Sequence, residues 1–383
     1  MILKALKYTR YKGAPRKWSI EGPNNDYAYF DNINLLVGKN ASGKSRTLSV
    51  MREIGNLFSG RINLKGTISP TESFDLIFKN EKGKYRYVLE YIDQKVVSEI
   101  LYVDNKKIID REKQILKSIS GEELHFEVED YELCISKLDE DEKPYYEKFV
   151  LWGNTLRNYL FANQIEKNSL VKTYTQLDDE DPGDEGADLL IYTFHQGCTQ
   201  FGEPFIKEVI SNMEELGYYI TDVCIQEYNG RYGLSIEEDG KYAVSQRDMS
   251  QGMFRALSLF IILTYAKMSN LSVCILIDDM GEGLDFERSR SVIDMVVKKV
   301  NRSNMQFFMS SNDRQVMNHI PIRFWSVIER EGCKSVFYDY TNSKETFEDF
   351  RYTGLNNFDF LTTDFYRKGF GLMDEEDDDN GGI

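Results

Sequence analysis

The octapeptide Gly38-Lys39-Asn40-Ala41-Ser42-Gly43-Lys44-Ser45 constrains this chain more than any other stretch, because it fills every fixed position of the pattern Gly-x-x-x-x-Gly-Lys-Ser. Upstream, Ile33-Asn34-Leu35-Leu36-Val37 reads as a buried strand; downstream, Leu48, Met51, Ile54 and Leu57 recur at helical spacing between Arg46 and Phe58. A strand, a glycine-containing turn and a helix in that order form an anion site. Gly38 and Gly43 let the backbone curl so that the N–H groups of the intervening Asn40, Ala41 and Ser42 turn toward phosphate oxygens. The helix that begins around Arg46 adds its positive end. Lys44 would then reach the β- and γ-phosphates of ATP, and the Ser45 hydroxyl would take one position on Mg²⁺. A chance match in a glycine-rich loop would lack these flanks.

Partners are bounded by charge. The 383 residues carry a net charge of -16, so any nucleic-acid surface must be a local basic patch working against the overall field. No apolar run approaches the roughly 20 residues needed to span a bilayer, and the start Met1-Ile2-Leu3-Lys4 turns polar too soon for a secretory signal. A cytoplasmic protein without membrane attachment is expected. Cys134, Cys198, Cys224, Cys274 and Cys333 include no Cys-x-x-Cys pair, which argues against a zinc site or a disulfide framework.

Strand patterns precede the loop at residues 2–8 and 18–20, and follow it at 73–78, 85–91 and 96–103, where turn-rich spacers predict hairpins. From about 110 to 215 the chain is charged and poor in β-branched runs, so helices are expected on either side of an exposed acidic loop at 177–186. Strand-like alternation returns from Tyr218 to Val244.

A second acidic feature completes the pattern. Val273-Cys274-Ile275-Leu276-Ile277 is an apolar strand ending in Asp278-Asp279. A buried strand that delivers carboxylates to a sheet edge is how a phosphate-loop enzyme supplies its metal residue, here Asp278, with Asp279 beside the attacking water. Between the two halves, Ser250-Gln251-Gly252 stands just ahead of the apolar run Ala256 to Leu263. Alone, that is an ordinary helix cap.

In combination, these motifs resemble the ABC-type ATPases, and within them the RecF, SMC and OLD-like branch. Ser250-Gln251-Gly252 falls where that family has its Leu-Ser-Gly-Gly signature. Asp278 through Asp285 falls where it has the metal Asp, the catalytic Glu and a loop ending in Leu-Asp. The resemblance implies an α/β fold: a P-loop ABC-type ATPase head with a mostly parallel core sheet, an antiparallel β-subdomain and a helical insertion. The head would comprise residues 1–110 and 216–340, the insertion 111–215, and an aromatic-rich segment with an acidic tail 341–383. It also implies that Ser250 and Gly252 contact the γ-phosphate bound to the opposite subunit, so that two heads close around two ATP molecules, and that Asp285 belongs with the nucleotide-binding residues. The chain departs from the family twice: Asp279 replaces the catalytic Glu, and Asn312 stands where a switch His is usual. Slow hydrolysis follows as an expectation. Gln94 lies in the region of the family's Q-loop glutamine but in a turn.

ATPases that resemble this one occur in bacterial anti-phage systems, including the PARIS type, where a separate gene encodes the effector. A homo-oligomeric ATPase controlling such a partner is therefore the first expectation. The second is a DNA-repair or chromosome-maintenance ATPase acting on DNA directly through Lys4, Lys7, Arg10, Lys12, Arg16 and Lys17. The third is an ATP-gated scaffold with little turnover.

Overall fold

The computed structural model describes residues 1–65, 71–117, 122–136, 146–159, 167–172, 187–300 and 303–372. The acidic loop at 177–186 and the acidic tail from 373 lie outside them. The chain forms two compact units, one of residues 1–154 with 320–383, the other of 155–319.

The first unit opens with β1 (Ile2–Arg10), β2 (Trp18–Glu21), β3 (Ala28–Tyr29) and β4 (Ile33–Val37), which leads into helix α1 (Lys44–Phe58). Every residue of β4 is buried, including Asn34, whose side-chain amide accepts from Asp31 N–H and donates to the Asp31 carbonyl, both at 2.7 Å. Next come β5 (Glu72–Asn80), β6 (Gly83–Ile92), β7 (Lys95–Val103), β8 (Lys106–Asp110), β9 (Ile115–Lys117) and β10 (Glu123–His125), an antiparallel meander in which alternate residues of β5 to β7 are buried. Helix α2 (Tyr146–Thr155) follows. Its Phe149 and Trp152 meet Phe58 of α1 and Phe78 of β5 with ring centroids 5.1 to 6.1 Å apart. Edge-to-face aromatic contacts of this kind add about 0.5–1.5 kcal/mol each beyond burial, which fixes the helix that carries the phosphate loop to the meander.

The second unit contains β11 (Leu156–Tyr159), α3 (Ala187–Phe201), α4 (Glu203–Glu215), the antiparallel trio β12 (Ile220–Tyr228), β13 (Arg231–Glu238) and β14 (Tyr242–Ser245), and α5 (Gln251–Met268). Then come β15 (Cys274–Ile277), α6 (Phe286–Val300), β16 (Gln306–Ser310) and α7 (Arg314–His319). β15 pairs in parallel with β11 on one side and β16 on the other. α5 is apolar nearly all round and buried from Phe254 to Thr264, with Asn212 of α4 donating to the Thr264 hydroxyl at 3.1 Å.

The chain then returns to the first unit with β17 (Trp325–Glu331) and β18 (Lys334–Asp339), which join it in parallel, β17 to β4 and β18 to β2. The short helices α8 (Lys344–Asp349), α9 (Asn357–Thr362) and α10 (Phe365–Lys368) follow, and a 3-10 turn over Gly369–Leu372 ends the described chain. Phe347, Phe360 and Phe365 of these helices and Phe350, just after α8, are buried against one another, so these aromatics cap the core.

The α/β class, with a mostly parallel core, an antiparallel subdomain and inserted helices, is the one expected. One correction concerns 111–215, which carries the strands β9, β10 and β11 besides α2, α3 and α4. These strands have three or four residues each, too few to generate a readable alternation.

One buried carboxyl bears on how α1 is seated. Glu72 of β5 accepts from the Tyr91 hydroxyl at 2.8 Å and lies 2.9 Å from Arg10 Nε, while Glu53 of α1 approaches the same Tyr91 oxygen at 3.2 Å. Burial, and then the Glu53 charge, push the Glu72 carboxyl up to about 7 from 4.5. A raised carboxyl favours the protonated form, so its contribution to stability is full below about 4.5 and is lost as pH rises toward about 7. Glu72→Gln should therefore stabilise the fold at pH 8, by on the order of 2 kcal/mol, and the advantage should shrink toward pH 5. Thermal unfolding of both proteins at the two pH values checks this.

Candidate functional site

Residues 38–46 all lie in the first unit, where the loop between β4 and α1 has the form that phosphate binding requires. Gly38 and Gly43 have φ of 154° and 116°; a Cβ at Gly38 would sit 2.4 Å from the Ile328 carbonyl oxygen, and one at Gly43 would sit 2.5 Å from Ser335 Oγ. Only glycine fits either place. Ala41 also has a left-handed backbone, at φ 63°. The loop is braced from behind: Trp18 Nε1 donates to Ser335 Oγ at 3.0 Å, and that hydroxyl donates to the Ser42 carbonyl at 2.7 Å. Trp18 and Ser335 are support residues that the motif gave no means of finding, since they come from distant strands.

Inside the loop, Ser42 is buried and its Oγ has no hydrogen-bond partner among the described residues. A buried hydroxyl without a protein partner, in a loop whose two glycines admit no Cβ, fits a cradle for phosphate oxygens. The Lys44 ammonium folds over the loop, donating to the Gly38 carbonyl at 2.8 Å and the Lys39 carbonyl at 3.3 Å. Asn40 and Ser45 are exposed, and Arg46 lies over the Trp18 ring at 4.9 Å. These residues fit a nucleotide triphosphate and its metal. Mg²⁺ needs only a hydroxyl and one or two carboxylates from protein, because phosphates and water supply the rest.

The other candidates, Ser250, Gly252, Asp278, Asp279, Asp285 and Asn312, lie in the second unit. Ser250 is exposed and caps α5, its hydroxyl accepting from Met253 N–H at 3.1 Å. Gly252 packs so tightly against the segment after β15 that a Cβ would meet the Gly283 carbonyl oxygen at 2.5 Å. Arg255, one turn on, donates to the Glu282 carbonyl and approaches the Glu282 carboxylate at 3.4 Å. The first turn of α5 and the loop 279–285 are thus one packed piece. Sequence reasoning missed Arg255 because a lone cation in an apolar helix has no readable role until its partner is placed.

Asp278 and Asp279 follow β15 directly. Asp279 is exposed with φ 54°. A left-handed backbone is tolerated by Asp and Asn far better than by longer side chains, which gives a conformational reason for Asp at this position. Asp285 caps α6, accepting from Arg288 N–H at 3.0 Å and from its guanidinium at 2.7 Å. Those contacts, the amide first, hold its carboxyl below the usual range. Asn312 is exposed just beyond β16, beside Asp313, which caps α7. Gln94 occupies a turn between β6 and β7, with φ 72°.

Among the described residues no group of three or more His, Cys, Asp or Glu forms a preassembled metal cage, and no helix is long and apolar enough to cross a membrane.

The strand-loop-helix cradle, the capped α5 and the acidic pair after β15 define an ATPase head of the ABC type. Residues 33–318 match the family described as "AAA domain, putative AbiEii toxin, Type IV TA system", and the chain belongs to that family. Its fold is similar to that of the head in "Crystal structure of the SmcHead bound to the C-winged helix domain of ScpA", with a TM-score of 0.53 at 10% identity, over 88% of this chain and 97% of that one. It is likewise similar to the Pyrococcus furiosus Smc head domain with an extended coiled coil bound to the C-terminal domain of ScpA, with a TM-score of 0.51 at 11% identity, over 91% and 99% of the two chains. Identities this low establish a shared fold and nothing finer. No curated protein matches the sequence significantly.

Proposed function

We propose that this chain binds and slowly hydrolyses ATP with Mg²⁺, pairs with a second copy when ATP is bound, and uses that pairing to control a separate effector protein. The observation that carries the proposal is the loop 38–45, with its two obligate glycines, its orphaned buried Ser42 hydroxyl and the Lys44 ammonium folded over it. Backbone N–H groups of the loop, with Lys44, hold the β- and γ-phosphates. Ser45 would take one position on Mg²⁺, which when bound offsets the charge of the phosphate oxygens, and Asp278 is the carboxylate proposed for the metal. Asp279 orients water and accepts its proton, and Asn312 hydrogen-bonds the γ-phosphate. An Asp is one methylene shorter than the usual Glu and an Asn cannot exchange a proton as His does, so turnover is slow.

The effector role draws on the family's description, which names a toxin of a toxin–antitoxin system, and on the anti-phage ATPases that the sequence resembles. Bacterial defence is the setting that fits both. Two further observations favour a protein partner over DNA. The net charge is -16, and among the candidate cations Lys4 and Lys12 are each paired with a carboxylate, Asp31 and Glu90 respectively, at 2.7 and 2.9 Å. A cation already neutralised in this way has little charge left for phosphate. The departures at Asp279 and Asn312 favour a second reading, an ATP-gated scaffold.

Light scattering with and without ATP and Mg²⁺, together with phosphate release, separates the two. Asp279→Ala is expected to keep ATP affinity within about twofold and to lower phosphate release at least a hundredfold, in line with loss of a positioned base. ATP-dependent assembly with release that the variant lacks supports the ATPase. Constitutive assembly with negligible release from wild type supports the scaffold.

A further inference from the structure

Ser310, the last residue of β16, is fully buried next to the acidic pair, and both sides of its hydroxyl are used. Its O–H donates to the Asp278 carboxylate, and its oxygen accepts the Asp279 N–H at 3.0 Å. The adjacent Ser311 repeats the arrangement one residue on: its hydroxyl donates to the Met280 carbonyl at 3.1 Å and accepts Asp313 N–H at 3.1 Å. The Met280 N–H completes the seam by donating to the Ser310 carbonyl at 2.8 Å. Residues 278–280 are therefore fastened to 310–313 by side chains as well as by the parallel ladder, and Asn312 stands between the fastened positions.

We infer that Ser310 is a positioning residue of the nucleotide site: its hydroxyl fixes the Asp278 carboxylate in the orientation that receives the metal and holds the left-handed Asp279 backbone. This deepens the proposed function and rests on it. A hydroxyl has one proton and here it is committed to Asp278, so the Asp278 oxygen that it engages is turned toward β16 and the other is the one presented outward. Without the hydroxyl, a half-buried carboxylate and a backbone N–H lose a partner together. The cost falls first on metal affinity, because supporting hydrogen bonds of this kind set the orientation of the carboxylate that binds the metal.

The test is the affinity for a fluorescent ATP analogue, measured as Mg²⁺ is titrated, in wild type, Ser310→Ala and Ser310→Thr. Ser310→Ala is expected to raise the Mg²⁺ concentration for half-maximal tightening by about 10- to 100-fold while leaving metal-free affinity unchanged. Ser310→Thr, which keeps the hydroxyl, is expected to behave as wild type; Ser310→Cys, close to serine in size but a weak donor, serves as the deletion if the alanine variant does not fold. A merely structural serine would alter melting temperature without moving the Mg²⁺ requirement, and an unchanged requirement in a folded Ala or Cys variant would overturn the inference. A wild type whose ATP affinity ignores Mg²⁺, or equals that of Lys44→Ala, would overturn the ATPase reading and this inference with it.

Discussion

Lys44→Ala is expected to abolish measurable ATP binding while leaving the fold intact. Lys44 is the first residue of α1 and its ammonium is buried, held by two carbonyls of the loop it closes. Those carbonyls are weaker partners than phosphate oxygens, which bear full charge, so the side chain exchanges one set of acceptors for a better one when nucleotide arrives. Hydrogen bonds to charged groups contribute about 1.5–3 kcal/mol each, and two of them correspond to roughly a hundredfold to ten-thousandfold in affinity. Alanine is the best helix former, so α1 should still start at the same place. Calorimetric titration of wild type and variant with ATP, alongside their thermal unfolding, measures both halves of the expectation. Unchanged affinity would remove 38–46 as the nucleotide site.

How far the sequence already contained this site differs between its parts. The cradle was readable because its demands are local: φ values open to glycine, a mostly apolar strand and a helix start lie within 13 consecutive residues from 33 to 45. What holds the cradle was not readable, since Trp18, Ile328 and Ser335 reach it through strand pairings that periodicity does not encode. The same holds in the second unit. Asp278-Asp279 announces itself after an apolar strand, whereas Ser310 is an ordinary serine until β16 is laid beside β15. The stretch 111–215 shows the opposite failure. Its short strands are set by their neighbours in the sheet rather than by their own pattern, so charge content outweighed them. Asp279 has a left-handed backbone, which Asp tolerates better than a longer side chain does, a local constraint that the residue pattern alone does not reveal.

Ser250→Arg is expected to leave ATP binding by a single chain within about twofold of wild type and to eliminate the ATP-dependent rise in mass. The substitution separates these properties because of where Ser250 sits. It is exposed, whereas α5 behind it is buried from Phe254 onward, so an arginine side chain can extend into solvent without entering the core. The cost to the single chain is the cap, since Ser250 accepts the Met253 N–H at 3.1 Å. That is about 1 kcal/mol, too little to unfold a helix with this much buried surface, at about 1.5–3 kcal/mol for each large apolar side chain. In the paired state proposed above, the same exposed helix start must approach a phosphate bound to the other copy within hydrogen-bond distance. A side chain several ångströms longer than serine then holds the two copies apart. Ser250→Ala removes the hydroxyl without adding bulk and serves as the control: it should melt slightly lower and still associate with ATP and Mg²⁺, more weakly by the one lost hydroxyl contact, about 1 kcal/mol. Mass by light scattering for the three proteins decides the matter. Association of Ser250→Arg at wild-type strength would mean that the start of α5 does not face a second copy, and assembly would then have to be sought through another surface.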